Sequence, residues 1–375
     1  MKKILLTSTQ SPGNGGGATN TYKLNKFLLK QKIPTYCIFF LCNREDPNKI
    51  NIDPDNLGNV SYIQIFWKDG KILETDEYVN NIKEKIFKYL NGEPDIIMSK
   101  NFLAPLTSKN LYPKSKLIYL VSGVYILTIL NNESENPKSA QYFFKNYDKL
   151  ENTIKKIKEN INIIVEHKTM ELSDIVLTNS DLTRTIMNKL YSQFSKKIVD
   201  PLNTSLAIDF KKFNGKLIDY NTRKYDIIYV CSNFERKIKN SFMINEIFLD
   251  KRLENYNKIV IGDNNIFSNK IKNLIVLNQQ KNDTVLNYMN NSKLLLMTSL
   301  FDSSPNTLFE AVQCGCNVII SKNIGSYKYF NNKCVCEDIY DIEEWIVKIL
   351  ENIKSPIENN INNKKIINDL LKICQ

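Results

Sequence analysis

A chain of 375 residues is too long for one ordinary α/β domain and comfortable as two. Its 42% hydrophobic and 10% aromatic content excludes a disordered protein, and no apolar run reaches the length of a membrane-spanning helix. A formal charge of +11 points to an acidic partner, such as a phosphate-bearing substrate or an anionic surface, but heavy use of Lys beside Asn and Ile also builds solvated faces without function.

The first half alternates strands and helices. Lys3–Thr7 reads as a short buried strand, followed by a glycine-rich loop and a helix from about Thr19 to Gln31. Pro34–Leu41 is apolar nearly throughout, as a parallel strand covered on both faces should be. Further strands are predicted at Val60–Phe66, Asp95–Ser99 and Lys116–Ser122, with a helix over Glu77–Leu90. A polar, helix-rich insert over Ser134–Ile164 leads into a helix carrying His167, and Asp174–Ser180 forms the last strand of this half. The weakly hydrophobic stretch Asp200–Thr222 marks a boundary, after which the pattern restarts. Strands are predicted at Tyr225–Ser232, Asn257–Asp263, Asn273–Asn278, Ser292–Ser299 and Asn317–Ser321, with a helical tail from Asp341 that Pro356 interrupts. Two such runs predict an α/β chain of two Rossmann-like, doubly wound domains with right-handed crossovers. The expected division is 1–205 and 206–356, with a final helix over about 357–375 packing back on the first domain.

Met1–Gln10 opens like a signal peptide, but its apolar run is only Ile4–Leu6, so a cytoplasmic protein is expected, with peripheral membrane contact as the furthest departure. Eight cysteines fit a reducing compartment. The pairs Cys314-Gly-Cys316 and Cys334-Val-Cys336 lack the two-residue spacers of zinc sites, and His167 is the single histidine, so no metal site is expected. On its helix beside Glu166, His167 reads as a surface residue.

Two loops carry chemistry. In the first, Ser11–Tyr22, glycines 13, 15, 16 and 17 follow a strand and open a helix, removing side chains where a ligand must approach backbone. Thr19 or Asn20 can cap that helix, whose free N–H groups would face a phosphate or a sugar. Gly16 and Gly17 are therefore candidate donor contacts, and Asn14 and Thr19 candidate acceptor contacts. The loop is neither a GxGxxG fingerprint nor a P-loop. In the second, Ser299–Ser321, a buried strand ends, an acidic loop follows, and a helix starts near Pro305. Asp302 and Glu310, with seven residues between them, can turn both carboxylates toward one site. Ser303, Ser304, Asn306, Thr307 and Leu308 lie between them at a helix N-terminus suited to a diphosphate. Glu310 stands among Phe309, Ala311 and Val312, where a buried carboxylate without a partner would be costly.

The segment SLFDSSPNTLFEAVQCGCNVIIS resembles the acidic-X7-Glu motif of the family-4 retaining glycosyltransferases, also known as glycosyl transferases group 1, which have the GT-B fold. The resemblance implies that Glu310 binds the ribose of a nucleotide and that Asp302, where the usual residue is Glu, contacts the donor sugar. NIGSYKYF, with Gly325, is similar to the glycine loop that follows, and VIGDNN, with Gly262, to the loop that helps hold the base. SNFERKIKN lies where the family places an Arg and a Lys on the donor phosphates, matched by Arg236 and Lys239 with Lys237 competing. Family members usually carry a histidine near the transferred sugar, where this chain has Ser122 and Gly123. The acceptor side is then expected near Asn14, Thr19, Ser122 and Gly123.

The resemblance implies retaining transfer of a sugar from a UDP- or GDP-sugar to an acceptor hydroxyl on a glycan, a lipid-linked or another acceptor. No metal or other cofactor is required, because Arg236, Lys239 and the helix N-terminus neutralise the diphosphate. A nucleotide-sugar 2-epimerase shares the architecture, but such enzymes gather several histidines. A non-catalytic nucleotide-sugar binder is the other alternative. The charge permits nucleic acid as acceptor, but no aromatic-basic motif supports it, so nucleic acid is not the expected partner.

Overall fold

The computed structural model describes residues 1–13, 16–43, 45–133, 135–203, 216–358, 361 and 363–374. In the first sheet, β1 (Ile4–Thr9), β2 (Thr35–Cys42), β3 (Val60–Ile65), β4 (Ile96–Lys100), β5 (Lys116–Val121), β6 (Ile175–Thr178) and β7 (Ile198–Val199) take the order β3-β2-β1-β4-β5-β6-β7. In the second, β8 (Tyr225–Asn233), β9 (Lys258–Asp263), β10 (Leu274–Leu277), β11 (Ser292–Met297), β12 (Asn317–Ser321) and β13 (Val335–Cys336) take the order β10-β9-β8-β11-β12-β13. Every pairing between these strands is parallel. The chain is thus α/β, with two Rossmann-like domains. Strand order reverses between β1 and β4 and again between β8 and β11. Open α/β sheets bind ligands at such points, outside the carboxyl ends of the strands.

β1 and β2 are buried along their whole length, which is why both read as unbroken apolar runs. α1 covers Gly16–Lys30, beginning before the predicted Thr19. α2 (Asp76–Leu90) is set by local chemistry: the Thr75 hydroxyl accepts from Tyr78 N, Asp76 and Glu77 fill the first turn, and Asn91 ends it in the left-handed region. α3 (Leu103–Leu111) connects β4 to β5. The predicted insert resolves into α4 (Tyr125–Glu133), α5 (Ala140–Lys145) and α6 (Tyr147–Lys158), followed by α7 (Ile161–Leu172), β6 and α8 (Asp181–Leu190). The first run therefore ends not at Ser180 but at β7, and the second not at Ser321 but at β13. Two-residue strands carry no period that a sequence pattern could display.

The second sheet is served by α9 (Ser241–Phe248), α10 (Asn282–Asn290), α11 (Asn306–Gln313) and α12 (Ile342–Asn352). Its core gathers Ile227, Val260 and Leu294 from the strands with Ile244 and Ile247 of α9 and Trp345 and Ile349 of α12. α13 spans Asn363–Cys374.

The contacts divide the chain into one unit of 1–124, 155–209 and 363–375 and another of 125–154 and 210–362. The sequence places 125–154 in the first half, whereas its hydrogen bonds tie it to the second. Ala140 N donates to Leu300 O at 2.9 Å, Gln141 N to Asn323 Oδ1 at 2.9 Å, and Gln141 Nε2 to Glu337 O at 2.9 Å.

In the first unit, Glu166 of α7 is fully enclosed, accepting hydrogen bonds from Tyr191 Oη at 2.6 Å and Tyr119 Oη at 3.2 Å. Burial raises its carboxyl to about 7, against the opposing pull of the two phenols. The folded state holds this proton more tightly than the unfolded chain, so stability falls as pH rises from the unfolded value of 4.5 toward 7 and then levels. At about 1.4 kcal/mol per pH unit, the change is on the order of 3 kcal/mol. Urea midpoints at pH 5 and pH 8 should show this fall in the wild type and lose most of it in Glu166→Gln; equal slopes in the two proteins would refute the assignment. His167 beside it is exposed, edge-on to Phe194 with ring centroids 5.0 Å apart.

Candidate functional site

At the β8/β11 reversal, two loops meet. β8 leads into a 3₁₀ turn at Lys237–Lys239, and Asn240 with φ 55° redirects the chain into α9. That turn is fastened to the end of β11: Leu300 N donates to Ile238 O at 2.8 Å, and Thr298 Oγ1 to Asn240 O at 3.1 Å. α4 packs on the same turn. Lys239 is thereby held with its Nζ 2.5 Å from Asp302 Oδ2, both groups largely enclosed. Arg236 stands exposed at the head of the turn, its Nη1 3.4 Å from Ser232 Oγ. Lys237 is half-buried.

Asp302 is anchored on its backbone as well. Its N–H donates to Asn323 O at 3.2 Å, and its carbonyl accepts from Gly325 N at 2.7 Å. The glycine loop thus fixes the position from which the carboxylate reaches Lys239, while Oδ1 accepts from Ser304 N at 3.3 Å. Pro305 caps α11, which opens at Asn306 and Thr307, so its first N–H groups emerge beside Ser304. Leu308 differs from the expectation: its side chain is fully buried, and its N–H is spent on Pro305 O at 3.3 Å, leaving it a packing role. Glu310 differs too. Phe309 and Ala311 point into the core, while the helical period leaves Glu310 half-buried with its Oε1 accepting from Asn282 Nδ2 at 3.2 Å.

Gly262 is explained by packing. β8 shifts register between Val230 and Asn233, and a Cβ on Gly262 would lie 2.0 Å from Cys231 O and 2.9 Å from the Phe234 ring. The Cys314 thiol, beneath α11, is pushed up to about 12, chiefly by burial and then by the Glu310 charge. Burial likewise pushes the Cys316 thiol up to about 12, so both behave as core residues. Among the described residues, no group of three His, Cys, Asp or Glu side chains is placed to hold a metal ion.

In the first unit, the β1/β4 reversal is organised by Asn101, which follows β4 with φ 64°. Its Nδ2 donates to Thr9 Oγ1 at 2.7 Å and its Oδ1 accepts from Ser122 Oγ at 3.2 Å, joining the ends of β1 and β5. A Cβ on Gly17 would lie 3.2 Å from Asn101 Oδ1, so this glycine lets the start of α1 settle against the same amide. Thr19 is not a cap: α1 starts at Gly16, and the Thr19 hydroxyl accepts instead from Gly13 N at 3.0 Å, while Asn20 is buried within the helix. Gly123 follows the exposed Ser122. Asn14 and Gly15 lie outside the described residues. Sequence reasoning missed Asn101, Asn282 and Asn323. Only Asn101 had a usable cue, as an Asn directly after an apolar strand. Also missed is a hairpin at Phe66–Lys71, signalled by Asp69-Gly70.

Two Rossmann-like domains of this strand order make the GT-B fold, which solved structures of similar topology share. Residues 222–368 match the model of the family glycosyl transferases group 1. The full length resembles sucrose-phosphate synthase from Thermosynechococcus elongatus at 12% identity and TM-score 0.58, over 99% of this chain and 98% of that one. It also resembles an alpha-glucosyltransferase solved with UDP-glucose and abasic-site DNA at 10% identity and TM-score 0.57, over 100% and 99% of the two chains. A trehalose-6-phosphate protein from E. coli bound with UDP-2-fluoro glucose matches at 12% identity and TM-score 0.56, over 99% and 96%. At these identities the likeness is one of fold. No curated protein matches the sequence. Among the described residues, no helix is long and apolar enough to cross a membrane.

Proposed function

We propose that this chain is a family-4 retaining glycosyltransferase, cytoplasmic, that moves a sugar from a nucleotide diphosphate to an acceptor hydroxyl without a metal. UDP is the preferred nucleotide over GDP, in keeping with the UDP-sugars held by two proteins of the same fold. The single observation that carries the reading is the Lys239–Asp302 pair, set at the strand-order reversal and beside the N-terminus of α11. A diphosphate docking on that N-terminus, near Ser304, Asn306 and Thr307, would draw Lys239 and Arg236 onto its oxygens. Asp302, released from Lys239, would then accept from a sugar hydroxyl, and Glu310 from the ribose hydroxyls. The C1–phosphate oxygen bond breaks while the acceptor oxygen bonds C1 on the same face, and a donor phosphate oxygen takes the acceptor proton. This route asks no base of Ser122 or Gly123, where the family usually has a histidine. Residues 206–356 would hold the donor and 1–205 the acceptor.

A thermal-shift series with UDP- and GDP-sugars tests the reading. A donor at 100 times its Kd should add about 2.7 kcal/mol of stability, and Glu310→Ala should lose most of it. Slow release of free sugar marks a transferase, an altered nucleotide sugar marks an isomerase, and binding without turnover marks a binder. No shift with any nucleotide sugar would sink the donor site.

A further inference from the structure

Beyond Ile65 the first sheet does not simply end. The chain reverses, with Phe66 N donating to Lys71 O at 2.8 Å, Gly70 N to Phe66 O at 3.1 Å and Leu73 N to Gln64 O at 2.8 Å. Gly70, at φ +71°, sits against α3, where a Cβ would lie 3.1 Å from Leu103 Cδ1 and 3.3 Å from Thr107 Oγ1. The hairpin is therefore seated on the fold and not a loose loop. Between it and the carboxyl ends of β1 and β2 lies a cavity of about 830 Å³.

We propose that this cavity is the acceptor site and that it takes a sugar or short glycan bearing an acidic group, a phosphate or a carboxylate. The inference rests on the transferase reading above. Its lining joins the three features such a ligand needs. Phe66 and Trp67 offer ring faces on which the apolar face of a pyranose stacks, burying C–H groups from water. Gln10 and Asn43 bring amides that both donate to and accept from hydroxyls. Lys68 and Lys71 bring the cations. Lys71 is partly neutralised by Asp69, whose Oδ2 lies 3.3 Å from its Nζ, while Lys68 extends from the exposed turn. The volume suits a ligand of a few rings. An acidic sugar fits better than nucleic acid, because Asp69 interrupts the basic run and a polynucleotide needs a continuous track of phosphate contacts.

Trp67 makes the test direct. The chain has two tryptophans, and Trp345 is fully buried in the other unit, so ligand-induced emission changes report on Trp67. The probes are glucose, glucose 6-phosphate, glucuronate and a single-stranded oligonucleotide, added to the full-length protein. Glucose 6-phosphate or glucuronate should bind about tenfold or more tighter than glucose, whichever of the two is tighter naming the acidic group. Lys68→Glu with Lys71→Glu should erase that preference, and Trp67→Phe should remove the signal while keeping a ring for binding measured by thermal shift. Equal binding of glucose and its acidic forms, a response to the oligonucleotide alone, or no response at all would overturn the proposal. UDP-glucose stabilisation is measured separately, so failure of the donor reading would show there and not in the Trp67 signal.

Discussion

Lys239→Ala should lower the rate of sugar release from the donor by about 10²–10³-fold, the scale of losing one preorganised charge partner of a departing oxyanion. The geometry makes the effect specific. Lys239 is largely enclosed, pinned through its own turn to Thr298 and Leu300, and poised 2.5 Å from Asp302 Oδ2. Without donor, the pair is a neutral unit; with donor, the lysine would exchange a carboxylate for a diphosphate that gains charge as the bond to C1 breaks. Lys239→Arg should retain part of the activity, because the charge remains while the fork geometry differs. The pair also predicts non-additivity: Asp302→Ala should cost less in the Lys239→Ala background than alone, since residues acting as a unit do not contribute separately. Single-turnover hydrolysis of a UDP-sugar by the four proteins of this cycle supplies the numbers. A Lys239→Ala enzyme within twofold of the wild type would remove the lysine from the mechanism.

What could be read from the sequence follows from how local its causes are. The core strands were legible because burial on both faces turns them into apolar runs, as in Ile4–Thr9 and Thr35–Cys42. The acidic loop at Asp302 was legible because Asp302, Pro305 and Glu310 are set by a strand end and one short helix. The allegiance of 125–154 was not, since Gln141 finds its partners at Asn323 and Glu337, far along the chain. The burial of Glu310 was misjudged because apolar neighbours in sequence say little about which face of α11 a residue occupies. The glycine loop of the first unit was half legible: its glycines led to the expectation of a close approach, which Gly17 makes to Asn101, but the helix start at Gly16 and the left-handed Asn101 behind it depend on tertiary contacts.

Gly262→Ala separates a role in packing from a role in ligand contact. The family resemblance gives Gly262 to the donor, yet its missing side chain is already accounted for by β8, whose carbonyl at Cys231 bulges to within 2.0 Å of where a Cβ would stand. That contact is with backbone, so no rotamer change relieves it. Either β9 moves away from β8 or the bulge flattens, and in both cases Phe234, whose N–H donates to Asp263 O at 2.9 Å, is displaced. Overpacking of this kind costs on the order of 3 kcal/mol. Urea denaturation should therefore show a large loss of stability without any ligand present. Because the same bulge leads into the turn that carries Arg236 and Lys239, UDP-sugar stabilisation should fall as well, even at temperatures where the variant is still folded. A glycine needed only for donor contact would give the opposite pattern, with normal unfolding and weakened binding. A variant that matched the wild type in both measurements would show that β8 can yield at the bulge without disturbing the basic turn.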